Sequence, residues 1–307
     1  MSSPVGATRR QVLVGGAATI FSLSVPSNGL LSSLAPTPSG EALLRLRDLL
    51  HVVPVGSSVF EERLEKYYPG LLSLPGFEVA RPLTLLIRNR GSRAAIAVSA
   101  EWSIRYPAGD ERLYRYAAFF RPNKLLKASR SGQYPVIRPG RLCVFSPFFC
   151  WTPARFKSVA RPNAVLTALR QEPIKNQLSH EITSAVSIKR RLDAAIFEPQ
   201  LLLGSDKGGL GSFFTIARNA EQDEAASLLD ELDASSSESS FHELVAQHAT
   251  VPIGNPPLME ERTYRRARVR YAILVQRALR HSDKDSVLNL LKSARSSSTT
   301  VLSRRAT

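Results

Sequence analysis

The strongest pattern of apolar and polar positions lies between Arg81 and Trp151. From Ala94 to Tyr106 the even positions are Ala94, Ile96, Val98, Ala100, Trp102, Ile104 and Tyr106, while Ser99, Glu101, Ser103 and Arg105 hold odd ones. A period of two predicts a strand with one face on a core and the other in water. An apolar run at 83–88 precedes it across Asn89-Arg-Gly91-Ser, and another at 113–121 follows across Pro107-Ala-Gly109-Asp. Both connections have turn chemistry of hairpin length. Pro139-Gly140 introduces a strand at Leu142–Phe145, and a second alternating run, 186–197, is expected to return to the same sheets. Arg190 interrupts the apolar face of that run, which places it near an edge or beside a partner.

Elsewhere the spacing is helical or broken. Short helical patterns occur at 41–50 and 60–68, and 152–181 is irregular, with prolines at 153, 162 and 173. Beyond the glycine-rich 204–211, helices are predicted over 213–233, 241–248, 264–280 and 286–294. Tyr264, Ala267, Tyr271, Leu274 and Ala278 recur every three or four residues and define one buried stripe. Ser282 and Asp285 have the spacing of a capping box for the last helix.

Regular strands without long intervening helices favour an antiparallel sandwich over a parallel sheet, with Trp102 as its core anchor. The predicted class is therefore α+β: an antiparallel Ig-like β-sandwich at 76–203, then a helical segment at 204–295 packed on or beside it. Residues 36–75 form a helical lead-in, and 296–307 a disordered Ser/Thr/Arg-rich tail.

The first 35 residues contain two arginines and no acid. Arg9-Arg10 with Leu13, followed by the mildly apolar 14–25, resembles a bacterial twin-arginine export signal. That resemblance implies a periplasmic or secreted protein, released by cleavage near Val25-Pro26-Ser27 or Ser33-Leu34-Ala35, or tethered by an uncleaved signal. The apolar run is too short and interrupted for a membrane span, and no polytopic segment is present. Only two cysteines occur, Cys143 and Cys150, which excludes a disulfide-built scaffold; they are read as two free buried thiols, with one bridge as the alternative.

Charge sharpens this picture. The chain carries a formal net charge of +15, and residues 76–203 hold 21 Lys and Arg against 8 Asp and Glu. Arg88, Arg90, Arg93, Arg105, Arg112, Arg115 and Arg121 lie on or beside successive predicted strands. The guanidinium fork suits phosphate and carboxylate oxygens, so these seven are candidate anion-binding residues. Outside the cytoplasm their partners would be anionic envelope polymers or lipid headgroups; no specific nucleic-acid motif is present.

Catalytic and cofactor motifs fail on spacing. His242-Glu243 and His248 lack the four-residue histidine separation of the zinc-protease helix, since six residues put the imidazoles about 240° apart; both read as exposed helix histidines. Gly204–Gly211 fits neither a phosphate loop nor the dinucleotide fingerprint and reads as a turn into a helix. Asp193 and Asp206 are weak calcium candidates. No Gly-x-Ser-x-Gly elbow occurs, and five scattered histidines define no triad. No cofactor, metal or catalytic residue is assigned.

Asp193-Ala-Ala-Ile-Phe197 through Gly204-Ser-Asp206, with Arg88-Asn89-Arg90, the Trp102 strand and Pro139-Gly140, resembles uncharacterised exported bacterial proteins with an Ig-like portion. The similarity covers about residues 80–235 and departs at Glu198-Pro199-Gln200. It implies fold and compartment and carries no activity. Three readings follow: an exported non-catalytic binding or scaffolding module of the bacterial cell envelope, a binder of anionic polymers or lipid phosphates through an arginine-rich sheet, and an unrecognised hydrolase.

Overall fold

The computed structural model describes residues 10–15, 46–119, 137–170, 173–233, 238–254, 256, 258–296 and 302–303. It is an α+β structure of two units, one reaching Leu210 and the other starting at Gly211. In chain order the first holds β1 (Arg10–Gly15), a helical turn at 46–49, β2 (Leu50–Val53), α1 (Ser58–Tyr67), α2 (Phe77–Ala80), β3 (Leu85–Asn89), β4 (Ala95–Arg105) and β5 (Glu111–Phe119). It continues through β6 (Leu142–Phe145), β7 (Cys150–Trp151), α3 (Pro153–Val159), α4 (Ala164–Arg170), α5 (Pro173–Glu181), β8 (Ser187–Phe197) and β9 (Leu201–Gly204). Helices α6 (Leu210–Asp233), α7 (Glu238–Thr250), α8 (Met259–Leu279) and α9 (Lys284–Arg295) follow, then the two-residue β10 (Leu302–Ser303).

Two antiparallel sheets form the first unit. One runs β5-β4-β8-β9, with β1 alongside β5 in parallel; the other runs β2-β3-β6-β7. The alternating run at 186–197 does return to the sheet, as β8 against β4. Of the two expected hairpins, only β4–β5 is one: Gly109 at φ +86° closes it with Tyr106 N–H donating to the Asp110 carbonyl. The β3–β4 connection instead crosses from one sheet to the other, which corrects the sequence reading. Asn89 shapes that crossing, donating from Nδ2 to the carbonyls of Arg93 and Ile137 and accepting from Gly91 N–H.

The sheets meet through aromatic rings. Trp102 on β4 stacks on Phe145 of β6 at 5.9 Å, and Tyr116 of β5 reaches the same ring at 5.2 Å. Trp102 is fully buried and donates from Nε1 to the Leu83 carbonyl at 2.9 Å, so its polar atom is satisfied inside the core. The Tyr68 hydroxyl donates to the Trp151 carbonyl at 2.9 Å and accepts from Val144 N–H at 3.1 Å, completing the β6–β7 ladder. Burial pushes the Tyr68 phenol well above its ordinary range, and the neighbouring Cys143 adds to this. Cys143 and Cys150 are both free, with sulfurs 3.2 Å apart across that hairpin.

Three further sequence expectations change. Residues 46–49 do form a helical turn, but Leu50–Val53 is an edge strand paired with β3. The proline-punctuated stretch is three helices, where Pro153 begins α3 behind the Thr152 cap and Pro173 begins α5. Proline costs nothing at a helix start, where its missing N–H has no intrahelical partner. Ser99 and Glu101 are buried, so the polar face of β4 is not in water.

In the second unit, Tyr271, Val275, Ala278, Leu228, Phe241, Val245, Val287 and Leu291 form the core. The predicted stripe on α8 is buried at Ala267, Tyr271, Leu274 and Ala278. Asp283, not Ser282, caps α9, accepting from Ser286 N–H at 2.8 Å. Its carboxyl lies below its ordinary range because that amide hydrogen bond favours the charged form. Among the described residues no helix is long and apolar enough to cross a membrane.

Candidate functional site

Cross-strand register decides which arginines are available to a partner. Glu101 on β4 stands between Arg115 on β5 and Arg191 on β8. Arg115 Nε donates to Glu101 Oε2 at 2.8 Å, and Arg191 Nη2 lies 2.6 Å from Oε1. The Glu101 and Arg115 side chains are only 7% and 10% exposed, so this pair is sealed, and Arg115 also donates to the Lys207 carbonyl at 3.0 Å. Arg112 is likewise committed, paired with Glu181 at the end of α5. Glu181 accepts further from the hydroxyls of Tyr114 and Tyr106 and from Gln177. Burial opposes its charge, but the Tyr114 and Gln177 hydrogen bonds and the Arg112 charge outweigh that and hold the carboxyl below its ordinary range. Burial and the adjacent carboxylate push Tyr106 up to about 12, and Tyr114 higher still.

The other predicted arginines are scattered. Arg88 and Arg90 belong to β3 and the turn after it, Arg93 to the same crossing, and Arg105 to the far end of β4; Arg121 lies outside the described residues. Arg88, Arg90, Arg93 and Arg105 are exposed and carry no ion pair among the described residues. The six that are described do not share one face. Arg10 of the expected signal falls in β1; Arg9 lies outside the described residues.

A cavity of about 410 Å³ opens instead where β2 and the 46–49 turn approach β8 and the loop after β9. Its lining is Leu46, Arg47, Leu50, His51, Val52, Arg190, Arg191, Leu192, Ser205 and Lys207. Four formal cations and a histidine line it, and among the described residues no carboxylate does. Arg190 sits on the inward face of β8, opposite Trp102, and its Nε donates to the Pro82 carbonyl at 2.5 Å. That contact explains how an arginine is accommodated in an apolar alternation. Burial lowers its proton affinity, and no acid among the described residues offsets its charge. His51 stands across the β2–β3 pair from Arg88. Burial first, then the charges of Arg90, Arg63 and Arg88, hold it below its ordinary value of 6.5. Its Nδ1 is buried without a hydrogen-bond partner.

The loop that brings Lys207 to the cavity is fixed by Asp193. This buried carboxylate accepts from Ser205 Oγ at 2.5 Å, Lys207 N–H at 3.1 Å, Gly208 N–H at 2.8 Å and Ser99 Oγ at 3.3 Å. Gly204 has φ +111°, and a Cβ there would meet the Asp193 carbonyl oxygen at 2.3 Å. The Asp193…Gly204-Ser-Asp206 motif thus encodes a closed strand-to-loop joint, and Asp193's lone pairs are spent on it. Asp206 accepts from Leu210 N–H at 2.5 Å at the start of α6, so the glycine-rich stretch is indeed a turn into a helix.

His248 is not an exposed helix histidine. Its Nδ1 lies 2.6 Å from Glu224 and its Nε2 3.1 Å from Glu231, while Arg268 Nε holds the other Glu224 oxygen at 2.6 Å. His242 is exposed. Sequence reasoning missed the cavity because its lining comes from three separate segments; the one local signal was Arg190. No protein-family model, curated protein or solved structure matches this chain.

Proposed function

We propose that this protein is an exported, non-catalytic binding module of the bacterial cell envelope that holds an anionic group in the basic cavity of its first unit. The observation that carries the reading is a concave site lined by Arg47, His51, Arg190, Arg191 and Lys207, with no carboxylate among its described lining residues. Of these cations only Arg191 has an ion-pair partner among the described residues, Glu101, and cations converging in a partly desolvated site attract anions more strongly than dispersed surface charge does. Arg88 and Arg90, both acting on His51, extend the same positive field.

The Ig-like reading of the first unit belongs to this proposal. On that reading β2, β3 and β6 stand for strands A, B and E, and β5, β4, β8 and β9 for C′, C, F and G, with the buried tryptophan on strand C and β7 an addition after E. Helices α3 to α5 then occupy the E–F connection. Export rests on the Arg9-Arg10 signal, and replacing both by lysine is expected to leave the protein in the cytoplasmic fraction.

Binding is tested by titrating the purified protein with heparin, inorganic phosphate, anionic vesicles and anionic amphiphiles. Affinity is expected to fall by about a decade or more between roughly 50 and 200 mM salt, as counter-charge screening requires. Absence of binding to every one of these probes at low salt removes the reading. Turnover of a substrate at the cavity would replace it with the hydrolase alternative.

A further inference from the structure

We infer that the cavity takes an amphipathic anion: one carboxylate or phosphate head carried on a short apolar chain. This rests on the anion-binding reading and narrows it. Leu46, Leu50, Val52 and Leu192 supply an aliphatic wall alongside the cations. A small hydrated anion gains nothing from such a wall, whereas an apolar chain buries surface against it. A volume of about 410 Å³ falls in the size range of clefts that take small molecules. An apolar tail against the leucines and an acidic head among the arginines matches both halves of the lining.

The cations differ in what they have left to offer. Arg191 shares Glu101 with Arg115, so part of its charge is already met. Arg190 spends Nε on the Pro82 carbonyl, which leaves the terminal nitrogens of its fork for a head group. Arg47 and Lys207 are exposed and have no ion pair among the described residues. Lys207 is held in place through its own backbone, N–H to Asp193 and carbonyl to Arg115, so its side chain is released for binding while its position is fixed. Two other polar clusters are already satisfied: Glu181 accepts from four side chains, and both nitrogens of His248 face carboxylates.

The test is calorimetric titration of the full chain with dodecanoate, dodecyl phosphate, inorganic phosphate and dodecyltrimethylammonium, all below micelle formation. Dodecanoate or dodecyl phosphate is expected to bind one to one, at least about tenfold more tightly than inorganic phosphate, because the tail buries apolar surface. Preference between the two heads decides carboxylate against phosphate. The exposed double variant Arg47→Glu with Lys207→Glu is expected to lose about tenfold or more for the anionic amphiphiles and nothing in thermal stability. Leu192→Asn is expected to weaken the amphiphiles and leave inorganic phosphate unchanged. Equal affinity for inorganic phosphate and the amphiphiles, tight binding of the cationic amphiphile, or insensitivity to the charge reversal would overturn the inference while other anions still bind. Loss of all anion binding would instead remove the parent reading.

Discussion

Two groups of cations in the first unit behave as opposites. Arg112 and Arg115 on β5 meet carboxylates, Glu181 and Glu101, that register or helix placement brings against them. Arg47, Arg190 and Lys207 converge on a cavity that no carboxylate lines among the described residues. All count equally toward the chain's +15. Charge in a sequence is therefore not charge available to a partner: Arg112 and Arg115 are committed to carboxylates, while Arg47, Arg190 and Lys207 have no ion pair among the described residues.

Substitutions should separate the two groups. The largest effect is expected at Glu101→Ala, which strands the buried Arg115 and should cost about 3 kcal/mol in urea unfolding. Glu181→Gln removes a half-buried charge from Arg112, which is itself 47% exposed, and should cost about 1 kcal/mol or less. The same variant should lower the Tyr106 pKa from about 12, read by tyrosinate absorbance in alkaline titration. Smaller again is the effect of His51. Its folded value lies below its unfolded one, so the unfolded chain binds more protons in that window. Stability should then fall as pH drops below about 6.5, and His51→Gln should flatten that slope. Arg47→Ala and Lys207→Ala should change stability by no more than about 0.5 kcal/mol while weakening anion binding. A cost for these two that matched Glu101→Ala would erase the distinction.

Much of the fold was legible where one residue's neighbours along the chain set its environment. The alternation at β4 and β8 and the stripe on α8 needed only a period. Burial of Ser99 and Glu101 was not legible, because it depends on Arg115, Arg191 and Asp193 arriving from other strands. The segment after residue 41 read as helical to Leu50 because its leucines suit either state, and only pairing with β3 makes Leu50–Val53 a strand. Prolines at 153 and 173 read as breaks, although each starts a helix. The candidate site was the least legible: the seven arginines marked a basic unit, but only Arg190 among the cavity's cations disturbed a local pattern.

The β6–β7 hairpin has a further consequence for the life history of the molecule. Its two sulfurs are already 3.2 Å apart, and a covalent bridge needs them at about 2.0 Å, a short approach. Yet burial and the neighbouring Cys143 raise the Cys150 thiol well above its ordinary range, so the thiolate that begins exchange is scarce. Bridging by a disulfide oxidant should be possible but slow. The bridged fraction in a population, counted by thiol labelling, would then act as a clock for how long each molecule has spent in oxidising surroundings.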